Sequence, residues 1–178
     1  MARAYMETPV SGPNAELGRG VYSLTSVLKY RMINQCGKTL IVGNTAMVDF
    51  TGRSSNATLD GDGTITDFLR RIVEPVTATT TSGMLGVIVD LLGNGGVDGT
   101  EVVVQFRGIC SAYAYGTSGV TAGVELKTNA GESVFDRNAG SANKSYAYSL
   151  GATSGSAVNE GTAELIDVLL IGPWGGGI

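Results

Sequence analysis

The sequence predicts an all-β protein, a compact β-sandwich or small β-barrel with an extended N-terminal arm. Three observations lead there. Short runs rich in valine, isoleucine, threonine and tyrosine recur along the chain, each cut off by a glycine-bearing turn. Glycine itself is abundant, 27 of 178 residues, as a chain that reverses direction often requires. Apolar residues make up 43% against 16% charged, enough to build a core and unlike a disordered chain.

The elements follow in order. Residues 1–19 (MARAYMETPVSGPNAELGR) show no hydrophobic period and carry two prolines, which reads as an arm outside the core. Tyr5, Met6, Val10 and Leu17 give that arm apolar handles, able to dock on the parent domain or to reach a neighbour. The β domain is expected over 20–172. Its strand-like runs are VYSLTSVLKYRMI (21–33), TLIVGNTAMVDF (39–50), TITDFLRRIVEPV (64–76), LGVIVDLL (85–92) and TEVVVQFRGICSAYAY (100–115). GVELKT (123–128), KSYAYSLG (144–151) and AELIDVLLIG (163–172) complete the set. Eight strands at short spacing suit a sandwich or small barrel. In TDFLRRIVEPV, Phe68, Leu69, Ile72 and Val73 also fit helical spacing. Pro75 and the β-branched residues limit any helix there to two turns, so strand is preferred. A tail, 173–178, holds the only tryptophan, Trp174, which either caps its own core or anchors on a neighbour.

Charge and missing residue types narrow the function. Twelve basic against sixteen acidic residues give a net charge of −4, which repels phosphate backbones and argues against nucleic-acid binding. No apolar run is long enough to span a membrane as a helix, and no basic-then-apolar leader is visible. With no histidine, a Ser-His-Asp triad, a Cys-His pair and a histidine-ligated metal are excluded. Cys36 and Cys110 sit in apolar, strand-like settings and read as buried free thiols, with a disulfide between them as the alternative.

Several motifs resemble reactive sites and resolve into turns. LDGDGTITD (59–67) looks like a calcium loop, but with Gly63 at the sixth position the first ligand falls on Thr58 and the twelfth on Leu69. Leucine cannot supply a bidentate carboxylate, so a hairpin turn is expected. Gly37-Lys38-Thr39 ends like a phosphate-binding loop but has Met32 where the motif needs glycine. The sequons at Asn56 and Asn143 mark surface loops. Glu101, Glu125, Glu132, Asp136, Glu160, Glu164 and Asp167 are scattered, with no convergent motif to make two of them an acid–base pair. Tyr113 with Tyr115, and Tyr146 with Tyr148, alternate so that each pair shares one strand face, as a ligand platform or as cross-strand packing. No catalytic, cofactor-binding or metal-ligating residue is assigned.

The order of segments resembles that of head decoration (capsid cement) proteins of tailed bacteriophages. GVYSLTSVLKYRMI looks like their opening strand, followed by a turn and the strand TLIVGNTAMVDF. RRIVEPVTATTTSGMLGVIVDLL is similar to a middle segment in which a Thr/Ser/Gly turn leads to a GVIVD strand. EVVVQFRGICSAYAYGTSGVTAGVELKTNAG is similar to a VVxxRG strand, an alanine-rich stretch and a VTAGxxL turn, and AELIDVLLIGPW to a closing strand. The likeness spans about residues 20–172 and leaves out the arm and the WGGGI tail. It implies a non-enzymatic virion protein on the capsid outer surface that binds the major capsid protein. A homo-oligomer, a trimer in first place, and no cofactor go with it. The contacts to capsid or neighbour then fall to Tyr5, Met6, Val10, Leu17 and Trp174.

Two other classes stay open from sequence. A carbohydrate- or receptor-binding β module would expose aromatics beside a groove, and a carboxylate-based hydrolase would place two carboxylates with shifted pKa values in a pocket.

Overall fold

The structure, a computed structural model, describes residues 27–48, 71–75, 84–93, 95–139 and 145–171. The expected arm, the LDGDGTITD turn, Phe68 and Leu69 of the helical alternative, both sequon asparagines and the tail lie outside the described residues, whereas Ile72 and Val73 of that alternative lie in a strand, Arg71–Val73.

Nine strands make up the described fold: β1 Leu28–Asn34, β2 Thr45–Val48, β3 Arg71–Val73, β4 Leu85–Asp90, β5 Glu101–Tyr115, β6 Glu125–Thr128, β7 Phe135–Arg137, β8 Ala147–Ser149 and β9 Glu164–Leu170. A 3-10 turn, Glu160–Thr162, precedes β9, capped by Asn159, whose side chain accepts from the Thr162 amide. Each of the eight runs contains a strand. The ninth, β7, comes from the short FDR segment, where two charged residues hide the alternation. The run 39–50 becomes a strand only at Thr45. Residues 39–44 form a loop, and Ile41 and Val42 stand exposed.

Pairing closes the sheet into a barrel rather than an open sandwich. β1, β3, β2, β4 and β5 form a closed five-stranded ring, with β1–β3 parallel and the other contacts antiparallel. The second half of β5 pairs with β7 and β9, and β7, β6, β8 and β9 pair in turn, so the pairing closes a second time. Every described strand therefore has a neighbour on both sides, and no described strand offers a free edge to another chain.

The 15-residue β5 joins the two rings. Its first half lies against β1 and β4 and its second against β7 and β9, with a bulge opposite Leu28 and Lys29 where one ring gives way to the next. Along β5, Leu28 lies opposite Arg107 and Leu170 opposite Gly108. The described chain therefore starts and ends beside the same point, the waist of the long strand.

A small apolar cluster gathers Tyr115, Val134 and Ala157, and two large ones fill the rings. One holds Met32, Leu40, Ile72, Ile88, Val102, Val104 and Phe106 inside the first ring. The other gathers Ala112, Ala114, Leu126, Phe135, Tyr146, Ile166, Val168 and Leu170 in the second. β2 and β4 serve both: Ala46, Val48 and Ile88 point into the first cluster and Met47, Leu85 and Val87 into the second. Burial on both faces explains why TAMV and LGVI read as unbroken apolar runs. Truncating a side chain such as Phe106 at the first centre is expected to cost about 3–5 kcal/mol.

Asn34 fastens the loops at the end of the first ring. Its buried amide donates to the carbonyls of Lys38 and Gly96, both at 2.8 Å, and its Oδ1 accepts from the Cys36 amide at 2.9 Å. Cys36 and Cys110 are free thiols, so the disulfide alternative does not hold. Burial pushes both thiols up to about 12; the Glu74 charge adds to this at Cys36, whereas Lys29 opposes it at Cys110.

Candidate interaction surface

The outer face of β5 and β9 carries exposed apolar side chains, Ile109 and Leu165. Alternation turns Val168 and Ile166 inward and leaves Leu165, Asp167 and Leu169 outward, opposite Tyr113, Ser111 and Ile109. Ile109 is 50% exposed and Leu165 51%. Ser111 donates to Asp167 at 2.8 Å in the middle of this face, a polar stitch between apolar ends.

A turn adds to the patch. Ile41 to Asn44 form a four-residue reversal in which the Asn44 amide donates to the Ile41 carbonyl at 3.1 Å and Asn44 Oδ1 accepts from the Ile41 amide. Gly43, at φ 94°, takes the left-handed third position that such a turn assigns to glycine. Its amide donates to Ile88 and its carbonyl accepts from Tyr113, which clamps the turn onto the sheet. A Cβ at Gly43 would lie 2.7 Å from Leu165 and 3.0 Å from the Tyr113 ring, so the turn rests directly on those side chains. Val42, 45% exposed, is thereby held at the surface.

Beside Val42 the surface dips into a cleft of about 290 Å³, lined by Lys29, Val42, Val89, Gln105, Ile109, Cys110 and Ser111. Gln105 is 2% exposed, and its Nε2 donates to the Ile109 carbonyl at 2.9 Å.

The carboxylates are engaged one by one in holding loops. Glu160 accepts from the Ser133 amide, Glu164 from the Ser154 amide and hydroxyl, and Glu125 from Ser145 and Tyr148. The bonds from Ser154 hold the Glu164 carboxyl below the usual range. Among the described residues, Glu132 and Asp136 are brought together through Asn129, whose Nδ2 reaches them at 3.1 and 3.2 Å. Tyr115 donates to Glu132 at 2.7 Å, and Lys127 pairs with Asp136 at 3.1 Å. Burial, then the bond to Glu132, lifts the Tyr115 phenol above its usual range, so it keeps its proton and acts as a donor. This cluster ties β5, β6 and β7 together, and none of its members lines the cleft. Lys38 of the GKT segment pairs with Glu74 at 2.6 Å as a half-exposed surface residue.

Tyr146 lies in the core, whereas Tyr148 lies outside it and reaches Glu125, so this pair makes no single platform. Tyr113 and Tyr115 do share a cluster, with Val134 and Ala157. The five contact residues expected from sequence, Tyr5, Met6, Val10, Leu17 and Trp174, lie outside the described residues. The exposed patch was not read from sequence, although the Gly43-Asn44 pair inside TLIVGNTAMVDF is a turn signal that marks it.

No family model matches the sequence, and no curated protein matches it. Among the described residues, no group of three His, Cys, Asp or Glu side chains is placed to hold a metal ion, and no helix is long and apolar enough to cross a membrane.

Proposed function

We propose that the protein is a structural virion component that binds the outer surface of an icosahedral phage capsid and strengthens contacts between capsid subunits. One observation carries the reading: a closed barrel with no free described edge presents exposed Val42, Ile109 and Leu165 on one continuous outer face. Such a molecule associates through surface contact rather than through a catalytic pocket. The order of segments in the sequence, similar to that of head decoration proteins, supplies the identity of the surface it meets.

Multivalency and net charge support the assignment. A homo-oligomer, a trimer in first place, would multiply a modest contact, because linked sites raise one another's effective concentration when their spacing matches the lattice. Net acidity favours solubility and disfavours contact with packaged nucleic acid.

The test is binding of the purified protein to empty phage heads. Saturation at a copy number set by capsid symmetry, lost on Ile109→Glu or Leu165→Glu, is the expected result. Binding that ignores both substitutions would remove this face from the account, and no binding to any head would remove the function.

A further inference from the structure

We infer that Lys127 and Asn129 join through an isopeptide bond between their side chains, with Asp136 carrying the protons. The inference is independent of the capsid reading and rests on one cluster in the second ring.

Register builds the cluster. Asp136 of β7 lies opposite Lys127 of β6 on one side and Tyr115 of β5 on the other, so the three stand in one row across the sheet. Asn129 directly follows β6 and turns its amide back into that row. Lys127 Nζ lies 3.1 Å from Asn129 Oδ1 and 3.1 Å from Asp136 Oδ2. A carbonyl bond is about 1.2 Å long, which puts the amine at most about 4.3 Å from the amide carbon. Reacting atoms need to come within about 3–3.5 Å, a difference that a small turn of the lysine side chain closes. Water has limited access, because the Lys127 and Asp136 side chains are only 19% and 16% exposed.

The amide is arranged to lose its nitrogen. Nδ2 faces three acceptors, Tyr115 Oη at 2.7 Å, Glu132 Oε2 at 3.1 Å and Asp136 Oδ2 at 3.2 Å, yet has only two N–H groups to give. Oδ1 faces the Lys127 ammonium, which polarises the carbonyl. Asp136 Oδ2 touches both the nitrogen that must lose protons and the nitrogen that must gain them. In the step, Asp136 takes a proton from the ammonium, and the freed lone pair of Nζ attacks the amide carbon to form the Nζ–Cγ bond. Asp136 passes that proton to Nδ2. The Cγ–Nδ2 bond then breaks with its electron pair on nitrogen, and the carbonyl re-forms. A second proton moves from Nζ to the leaving nitrogen by the same route. Ammonium departs, the Asp136 carboxylate is restored, and no other reactant enters the balance.

Mass spectrometry of the full-length protein reads the bond directly. Once its mass has stopped changing, the wild type should be lighter than its sequence by one ammonia. Trypsin should then leave residues 108–137 as one peptide, because the only lysine inside it is acylated. Lys127→Arg keeps a cation beside Asp136 but removes the attacking amine, and Asp136→Asn keeps the shape but removes the proton carrier. Both variants should hold their full sequence mass. A wild type at its sequence mass, cleaved normally after Lys127, would overturn the inference. Ammonia loss that persists in Lys127→Arg would overturn it equally, by placing the loss on a succinimide between Asn129 and Ala130.

Discussion

Gly43→Ala tests how firmly the Ile41–Asn44 turn is pressed onto the barrel. Gly43 sits at φ 94°, where a side chain is strained by about 1–3 kcal/mol. The added Cβ would also stand 2.7 Å from Leu165 Cδ1 and 3.0 Å from Tyr113 Cδ2. Leu165 is exposed and can swing aside, but Tyr113 is half-buried and must shift with the sheet, adding roughly 1 kcal/mol. Gly37→Ala is the matched control, since Gly37 is also left-handed, at φ 69°, yet has nothing within 4 Å of its Cβ position. Taken together, Gly43→Ala should cost about 2–4 kcal/mol, and Gly37→Ala only the backbone part. For a chain of this length a kilocalorie per mole lowers Tm by roughly 2–4 °C, so the expected drop at Gly43 is roughly 4–16 °C. Differential scanning calorimetry of both variants measures it. Equal shifts at the two glycines would refute the reasoning, because they would mean that the turn does not rest on Tyr113 and Leu165.

Asn34→Ala removes two donated bonds and one accepted bond from a buried position, and should cost about 2–4 kcal/mol. Urea unfolding should show this as a lower midpoint at an unchanged slope. The thiols predict an alkaline signature. Their folded pKa, about 12, lies above the ordinary 9.0, so their contribution to stability is full below pH 9.0 and is lost as pH rises from there toward 12. A Cys36→Ala/Cys110→Ala double variant should therefore lose less Tm than the wild type across that window. At pH 8 the native thiols should react with a disulfide reagent more slowly than an ordinary thiol, because burial keeps the thiolate fraction small. Deleting residues 1–19 should leave Tm within a few degrees of the wild type and weaken attachment to capsids in a sedimentation assay, whereas full occupancy would assign the arm no part in binding.

The strands were legible because valine, isoleucine and threonine runs ended at glycine turns, and long-range geometry was not. VVVQFRG announces a strand, yet nothing local says that Arg107 pairs with β1 while Gly108 pairs with β9. The same limit left sandwich and small barrel undecided, since the parallel contacts β1–β3 and β5–β7 join segments far apart in the chain. TLIVG looked like strand because Ile41 and Val42 are β-branched, and the left-handed Gly43 overrode that preference. Strand β7 was missed because Asp136 and Arg137 follow Phe135, and the Asp136 charge is explained only by its partners Asn129 and Lys127. For the exposed patch, alternation fixes that Ile109 and Tyr113 share a face. Whether that face is covered depends on what packs over it, which sequence does not encode locally. Tyr148 shows the converse: alternation pairs it with Tyr146, but the chain enters β8 only at Ala147, so Tyr146 turns into the core.

The central claim, attachment to a capsid through the outer face of β5 and β9, is tested most directly by light scattering and sedimentation of the protein with empty phage heads. The account predicts co-migration that saturates at a symmetry-defined copy number and is lost in Ile109→Glu. A stable monomer that stays in the supernatant with every head offered would contradict it.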